Sequence, residues 1–222
     1  MQRYEEIKVI GKGGYGQALL MKDKQDNNRY VVIKKIEIPH GSKRLLQLAQ
    51  QEAFFLKQLK HPNVIQIYNS FVNSPDEFCL VLEYADAKDL NNYLKSHQNL
   101  SQDRILQIFS QIILGISHIH SQNVLHRDIK IANIFLFKNG LVKIGDFGIS
   151  REIGPDSLAT TTIGTPFFMA PEIIKREPYG FPADIWAAGC VLYELMVGTH
   201  AFNGISKADL FENIQNQEIS GI

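Results

Sequence analysis

Residues 126–148 read HRDIKIANIFLFKNGLVKIGDFG, and this stretch decides how the rest of the chain is interpreted. Among the polar residues between its short apolar runs are the carboxylates Asp128 and Asp146, the amide Asn133, and the cations Arg127 and Lys130. The Asn-Gly pair at residues 139–140 predicts a hairpin formed by the apolar runs on either side of the pair. Such a hairpin places Asn133 and Asp146 at its two feet, where paired oxygen ligands suit Mg²⁺. The alternative is an ordinary hairpin with solvated polar ends.

The order of these residues separates the two interpretations. H-R-D-x-x-x-x-N followed by D-F-G has the spacing of a catalytic loop and a metal-binding segment. On these motifs the chain resembles the eukaryotic protein kinases. The resemblance implies an α+β, bilobal protein-kinase-like fold, in which a small β-rich lobe holds one helix and a larger lobe is mainly helical.

Composition limits the classes of protein that remain. The 222 residues, 45% of them hydrophobic, suffice for one large domain or two small ones. Lys plus Arg and Asp plus Glu both number 23, so no overall field favours nucleic acid or an anionic membrane. Cys79 and Cys190 lie in apolar runs, which predicts buried, reduced thiols. With no apolar signal core at the start, we expect an intracellular, cytoplasmic protein and leave its oligomeric state open.

A glycine-rich loop, GKGGYG at residues 11–16, separates two stretches that alternate like strands. In the dinucleotide-binding fingerprint of Rossmann dehydrogenases, such a loop opens a helix, but no helix signal follows Gly16. A hairpin whose tip brings backbone N–H groups to phosphates fits better and resembles the kinase glycine-rich loop. Ala18 stands where the family usually has Val.

Residues 30–34 form a β-branched run that ends in Lys34 and resembles V-A-I-K, apart from Val32. Glu52 lies in a helix-forming stretch, residues 42–60, that stops at His-Pro-Asn. The resemblance implies that Lys34 binds the inner phosphates of ATP and is held by Glu52. For both residues the alternative is an unremarkable surface charge.

Two more predicted strands, residues 64–72 and 78–84, complete the smaller lobe. We expect the lobes to comprise residues 1–84 and 85–222, with a hinge near residues 83–89.

Helices are predicted farther along the chain. Residues 101–120 form an amphipathic helix with Ser101 as its N-cap. Residues 184–198 form an apolar helix that ends at Gly198, within which Asp184 needs partners such as backbone amides of the catalytic loop. A last helix covers residues 206–217. Kinase catalytic domains normally continue with more helices, so the resemblance implies either that the chain is a fragment or that its larger lobe is incompletely covered.

Residues 149–169 show little periodicity, and GTPFFMAPE at residues 164–172 resembles an activation segment that closes on A-P-E. Our hypothesis is that Thr161 accepts a phosphate, that Arg127 receives it as a charge-assisted pair, and that the loop becomes ordered. Lys130 and Thr165 resemble the serine/threonine type of catalytic domain rather than the tyrosine type.

HRDIKxxNIF, GTPFFMAPE and DIWAAGCVLYEL followed by HAF are similar to the NIMA-related serine/threonine kinases. This resemblance implies Mg²⁺-dependent transfer of the γ-phosphate of ATP to Ser and Thr hydroxyls of protein substrates, and an association with the cytoskeleton. Asp128 is the implied base, Lys130 the γ-phosphate contact, and Asn133 and Asp146 the metal ligands. The other implied ATP contacts are Ile10, Gly11, Lys12, Gly13, Gly14, Tyr15, Gly16, Gln17, Ala18, Val32, Lys34, Leu82, Glu83, Ala85, Asp89 and Phe135.

A catalytically silent, kinase-like binding module is the alternative from a different functional class. Silent relatives usually lack at least one of the residues that act on ATP, and this chain retains all five, namely Lys34, Glu52, Asp128, Asn133 and Asp146.

Overall fold

The computed structural model describes residues 3–13, 16–97, 99–147, 166–216 and 219. The chain divides into two compact units. Of the described residues, the first unit holds 3–13, 16–61 and 65–84, and the second holds 62–64, 85–97, 99–147, 166–216 and 219.

The first unit is built on one antiparallel sheet with the strand order β1-β2-β3-β5-β4. Helix α1 follows β3 along the chain. The bounds are β1 Tyr4–Gly13, β2 Gly16–Asp23, β3 Arg29–Glu37, α1 Lys43–Leu56, β4 Ile67–Ser74 and β5 Glu77–Glu83. Buried side chains of the three central strands form its core, namely Leu19, Met21, Val31, Ile33, Cys79 and Val81.

The glycine-rich loop joins two strands of this sheet, as the sequence predicts. The chain continues from Gly16 directly into β2, which excludes the strand-to-helix turn of a dinucleotide fingerprint. Gly16 has a φ of +128°, and a Cβ at this position would overlap the carbonyl oxygen of Lys35 on β3. Only glycine therefore fits here.

The second unit combines six helices with a short hairpin in the described residues. The bounds are α2 Leu90–Ser96, α3 Gln102–Ser121, β6 Ile134–Leu136, β7 Val142–Ile144, α4 Pro171–Ile174, α5 Phe181–Val197 and α6 Lys207–Asn216, with a short 3₁₀ turn at Ile131–Asn133. By these bounds five of the helices are α-helical and the sixth is this 3₁₀ turn. Helix α3 packs against both α5 and β7. Among the described residues, no helix combines the length and the hydropathy that a bilayer crossing requires.

Two predicted caps are confirmed in the second unit. The Oγ of Ser101 accepts a hydrogen bond from the N–H of Arg104 at 3.3 Å and begins α3. Gly198 ends α5 in the left-handed conformation, with a φ of +81°.

Both cysteines are free and buried, and burial raises the pKa of each thiol to about 12.

Other element bounds differ from the prediction. Helix α1 ends at Leu56 rather than at residue 60, because the N–H groups of Gln58 and Leu59 bond to carbonyls three residues earlier and tighten the last turn. Helix α5 begins at Phe181, since Pro182 fits the first turn, where a missing N–H costs nothing. Val64 pairs with Ile144 of β7 instead of extending β4.

Candidate functional site

The β6–β7 hairpin brings the two predicted metal ligands to neighbouring positions on the backbone. The N–H of Gly145 donates to the carbonyl oxygen of Asn133 at 3.0 Å, and Asp146 is the next residue. At the tip, Gly140 has a φ of +88°, which the Asn-Gly turn requires. The predicted hairpin is therefore present, with Asn133 and Asp146 at its feet.

Three of the predicted catalytic side chains lie together on the loop before this hairpin. Oδ2 of Asp128 accepts hydrogen bonds from Nζ of Lys130 and from Nδ2 of Asn133, both at 2.9 Å. The Asp128 side chain is 17% exposed, so a ligand from solvent can reach it. A carboxylate held by an ammonium group and an amide has a fixed orientation, as a base aimed at a hydroxyl group needs.

The orientation of the Asn133 amide fits a cation. Its Nδ2 donates to both the backbone oxygen and Oδ2 of Asp128, which leaves Oδ1 as the atom available to coordinate a metal. Asn133 is buried, so this oxygen is held in place. Where the structure describes the chain, no three His, Cys, Asp or Glu side chains are grouped as metal ligands. An amide oxygen with one carboxylate suits Mg²⁺, which takes few protein ligands.

His126 connects the catalytic loop to the residue before Asp146. Its Nδ1 accepts from the N–H of Asp128 at 3.3 Å, so its Nε2 carries the proton and donates to the carbonyl oxygen of Gly145 at 3.1 Å. This arrangement requires a neutral ring. Burial lowers the pKa of His126, which favours that neutral form.

Asp184 of α5 holds the backbone of the same loop, as the sequence predicts. Its carboxylate accepts from the N–H of His126 at 2.9 Å and from the N–H of Arg127 at 3.0 Å. Arg127 has a φ of +67°, a conformation that is uncommon for a residue with a side chain. The two hydrogen bonds hold the loop in that conformation.

The sequence did not reveal the third partner of Asp184. Nε2 of His120, at the end of α3, lies 2.8 Å from Oδ2 of Asp184, and its ring stacks on Phe181 at 4.4 Å. The two paired residues are 64 positions apart, and no local pattern marks them as a pair.

The predicted nucleotide residues of the first unit lie on one sheet. Lys34 of β3 pairs with Ala18 of β2 on one side and with Leu80 of β5 on the other. Its neighbour Lys35 forms an ion pair with Glu77 at 3.3 Å. The remaining predicted contacts are distributed as Ile10, Gly11, Lys12 and Gly13 on β1, Gly16, Gln17 and Ala18 on β2, Val32 on β3, and Leu82 and Glu83 on β5.

Glu52 lies in α1, and its pairing with Lys34 stays a prediction. Gly14, Tyr15, Thr161 and Thr165 lie outside the described residues.

Two of the predicted ATP contacts of the second unit meet at β6, where Asp89 bridges to Phe135. The third, Ala85, is the first residue of the segment of this unit that runs to Phe147. The Asp89 carboxylate also accepts from the N–H of Asn92 at 2.8 Å and caps α2. A ribose contact by Asp89 would therefore share this carboxylate with the helix cap.

Comparison with known proteins identifies the family of the chain and several relatives. The family model described as protein kinase domain matches residues 4–222. Serine/threonine-protein kinase Nek5 of Homo sapiens is 44% identical over an alignment of 208 residues, which covers 92% of this chain and 29% of Nek5. Nek1 of Mus musculus is 40% identical over 224 residues, covering 100% of this chain and 18% of Nek1. Nek3 of Mus musculus is 40% identical over 217 residues, covering 96% of this chain and 42% of Nek3.

The chain thus spans less than half the length of each of these relatives. The family match covers nearly all of the chain, including the catalytic loop and the hairpin described above. On that match, the chain belongs to the protein kinase domain family and is similar to its NIMA-related members.

Proposed function

We propose that the protein transfers the γ-phosphate of ATP to Ser and Thr hydroxyls of protein substrates. The observation that carries the proposal is the Asp128 carboxylate, held by Lys130 and Asn133 at 2.9 Å on a loop that Asp184 fixes. The relatives named above, all serine/threonine-protein kinases, support it.

Asp128 orients the acceptor hydroxyl and takes its proton. The transition state of phosphoryl transfer is loose and spreads charge over the phosphoryl oxygens, so positioning and neutralisation matter more than covalent chemistry. Lys130, which already lies beside Asp128, neutralises part of that charge. The Asp128–Lys130–Asn133 cluster thus supplies both the base and a cation at one place.

Mg²⁺, when bound, neutralises phosphate charge. Asn133 Oδ1 and the Asp146 carboxylate are its proposed protein ligands. In the first unit, we assign Lys34 to the inner phosphates, with Glu52 holding it, and the glycine-rich loop to the phosphate chain. Leu82 and the backbone of Glu83 in that unit, together with Ala85, Asp89 and Phe135 in the second, are assigned to the nucleoside.

Phosphorylation of Thr161, received by Arg127, is the proposed form of regulation. We expect that it raises the rate of transfer. Thr161→Ala should then transfer phosphate more slowly than the phosphorylated parent protein, measured with one acceptor protein under the same conditions. Equal rates would contradict the assignment.

The test of the main proposal uses the purified protein, labelled ATP, Mg²⁺ and a generic acceptor protein. Label should appear on Ser and Thr of the acceptor. Asp128→Asn should lower the rate by about 10²–10⁴-fold, because it removes the base, while nucleotide binding is retained. Asp103→Asn, at an exposed position on α3, is the matched control. An Asp128→Asn protein as active as its parent would contradict the proposal.

A further inference from the structure

One amide side chain on α3 makes every hydrogen bond that it can make. Oε1 of Gln111 accepts from Nδ2 of Asn63 at 3.0 Å and from the N–H of Val142 at 2.9 Å. Its Nε2 donates to the carbonyl oxygens of Gln107 at 3.0 Å and Gly140 at 3.2 Å. A primary amide offers two acceptor sites and two donor hydrogens, so all four are used here.

These bonds join three segments of the second unit. Val142 opens β7, Gly140 lies in the hairpin turn, and Asn63 belongs to residues 62–64. Asn63 itself is buried and makes two hydrogen bonds to β7. Its Nδ2 donates to the carbonyl oxygen of Val142 at 2.9 Å, and its own carbonyl oxygen accepts from the N–H of Ile144 at 2.9 Å. Strand β7 is thus held by β6 on one edge and by Asn63 and Val64 on the other.

The same face of α3 is packed tightly against this junction one helical turn later. Gly115 follows Gln111 by four residues, which places both on one face. A Cβ at Gly115 would lie 2.7 Å from the carbonyl oxygen of Asn63 and 2.9 Å from Cδ1 of Ile144. Only glycine therefore lets α3 approach Asn63 and β7 this closely, and the Gln111 amide bonds to the same two segments.

Strand β7 leads directly to the proposed metal ligand. Ile144 is followed by Gly145, whose N–H bonds to Asn133 and whose carbonyl oxygen accepts from His126, and then by Asp146. We propose that Gln111 is a positioning residue for phosphoryl transfer: by clamping β7 to α3 and to Asn63, it sets the position of Asp146 relative to Asn133 and Asp128. Gln111 touches none of the three, and its effect on the reaction rests on the function proposed above.

The decisive variant is Gln111→Glu, which keeps the shape of the side chain and removes both donor hydrogens. Gln107→Glu is the matched control, since it makes the same change one turn earlier at an exposed position of α3. Hydrogen–deuterium exchange of the whole protein reports on the clamp without any need for activity. Peptides covering residues 62–64 and 140–147 should exchange at least about tenfold faster in Gln111→Glu. Peptides of α5 should not change, and Gln107→Glu should match the parent protein.

The second readout is the rate of transfer. A misplaced reacting group costs up to about 10²-fold, so the kcat of Gln111→Glu should fall by about 10- to 100-fold while KM for the acceptor protein stays unchanged. If Gln111→Glu does not fold, Gln111→Asn retains the amide, is one methylene too short for all four bonds, and should change exchange in the same peptides.

Two exchange results overturn the proposal: unchanged exchange at residues 140–147, or an equal rise in α5, which shows general destabilisation. A fall in kcat with unchanged exchange also overturns it. If the parent protein transfers no phosphate, the proposed function fails, and the exchange result still decides whether the clamp exists.

Discussion

At the scale of single residues, the loop that carries Asp128 is held by two buried side chains of opposite character. Asp184 is a carboxylate that accepts two backbone N–H groups, whereas His126 is a neutral ring that accepts one N–H and donates to one carbonyl. Each therefore depends on its protonation state, and a protonated His126 would direct a second N–H toward the N–H of Asp128.

The stability of the protein should accordingly fall in mild acid. Burial lowers the pKa of His126 in the folded state below its ordinary value of 6.5, whereas the unfolded chain titrates near that value. Below pH 6.5 the unfolded state binds the proton more readily, so the contribution of His126 is complete above 6.5 and is lost progressively as the pH falls.

Urea unfolding at pH 7.5 and pH 5.5 measures this dependence. His126→Phe should reduce the fall in unfolding free energy between the two pH values, and His97→Asn, at an exposed histidine, should not. The same fall in the parent and in His126→Phe would assign the acid sensitivity to other groups.

Asp184→Asn tests the other buried side chain. The variant replaces one acceptor oxygen with an amino group that faces a backbone N–H, so we expect a loss of about 1–3 kcal/mol in unfolding free energy. Phosphoryl transfer should slow as well, since the left-handed conformation of Arg127 loses its support. Asp103→Asn should leave the rate unchanged and lower the unfolding free energy by at most about 1 kcal/mol, since Asp103 lies in the first turn of α3. An Asp184→Asn protein that behaves like it would show that the two hydrogen bonds contribute little.

The sequence indicated only part of this residue-scale network. A buried aspartate in an apolar helix needs donors, so the prediction that Asp184 bonds to backbone amides was possible and is confirmed. Its contact with His120 depends on the packing of two helices, which no spacing rule encodes. The fourfold role of Gln111 was missed for the same reason, because its partners come from segments that only the fold brings together.

At the scale of elements, those with a sharp chemical signal at their ends were predicted best. Helix α3 begins one residue after Ser101, and α5 ends before Gly198. A side-chain cap and a left-handed glycine depend only on residues that are close in the sequence, so the sequence reveals them. Helix α2 was missed even though Asp89 caps it, since the resemblance had assigned Asp89 to ATP.

Two glycines, Gly189 inside α5 and Gly198 at its C-cap, should respond to alanine with changes in unfolding free energy of opposite sign. Gly198 has a φ of +81° and no atom within 4 Å of an added Cβ, so Gly198→Ala should cost about 1–2 kcal/mol of unfolding free energy through backbone strain alone. Gly189 lies inside the helix with equally open space around it, so Gly189→Ala should add roughly 0.5–1 kcal/mol. Chemical denaturation of both variants against the parent measures the pair, and changes of the same sign would contradict this account.

At the scale of the whole molecule, each of the two units has its own part in the proposed reaction. The predicted phosphate loop and Lys34 belong to the first unit, whereas Asp128, Asn133 and Asp146 belong to the second. No sequence motif includes residues of both groups. The proposed function assigns both groups to the binding of ATP and Mg²⁺.

Binding of ATP with Mg²⁺ should therefore raise the melting temperature. A ligand at about 100 times its Kd adds roughly 2.7 kcal/mol to the unfolding free energy. We expect most of that gain to disappear when the metal is chelated, or in Asp146→Asn, because Asn133 and Asp146 would hold the metal and it would neutralise phosphate charge. Thermal unfolding with ATP, with and without Mg²⁺, measures the effect, and a shift that is independent of the metal would contradict the ligand assignment.

Residues 62–64 belong to the second unit, although the chain on both sides of them belongs to the first. During synthesis, Val64 leaves the ribosome about 80 residues ahead of Ile144, its partner on β7. At the usual rate of translation that interval lasts about 4 to 16 s. For those seconds Val64 lacks the strand with which it pairs in the folded protein, and its apolar side chain is left without that partner.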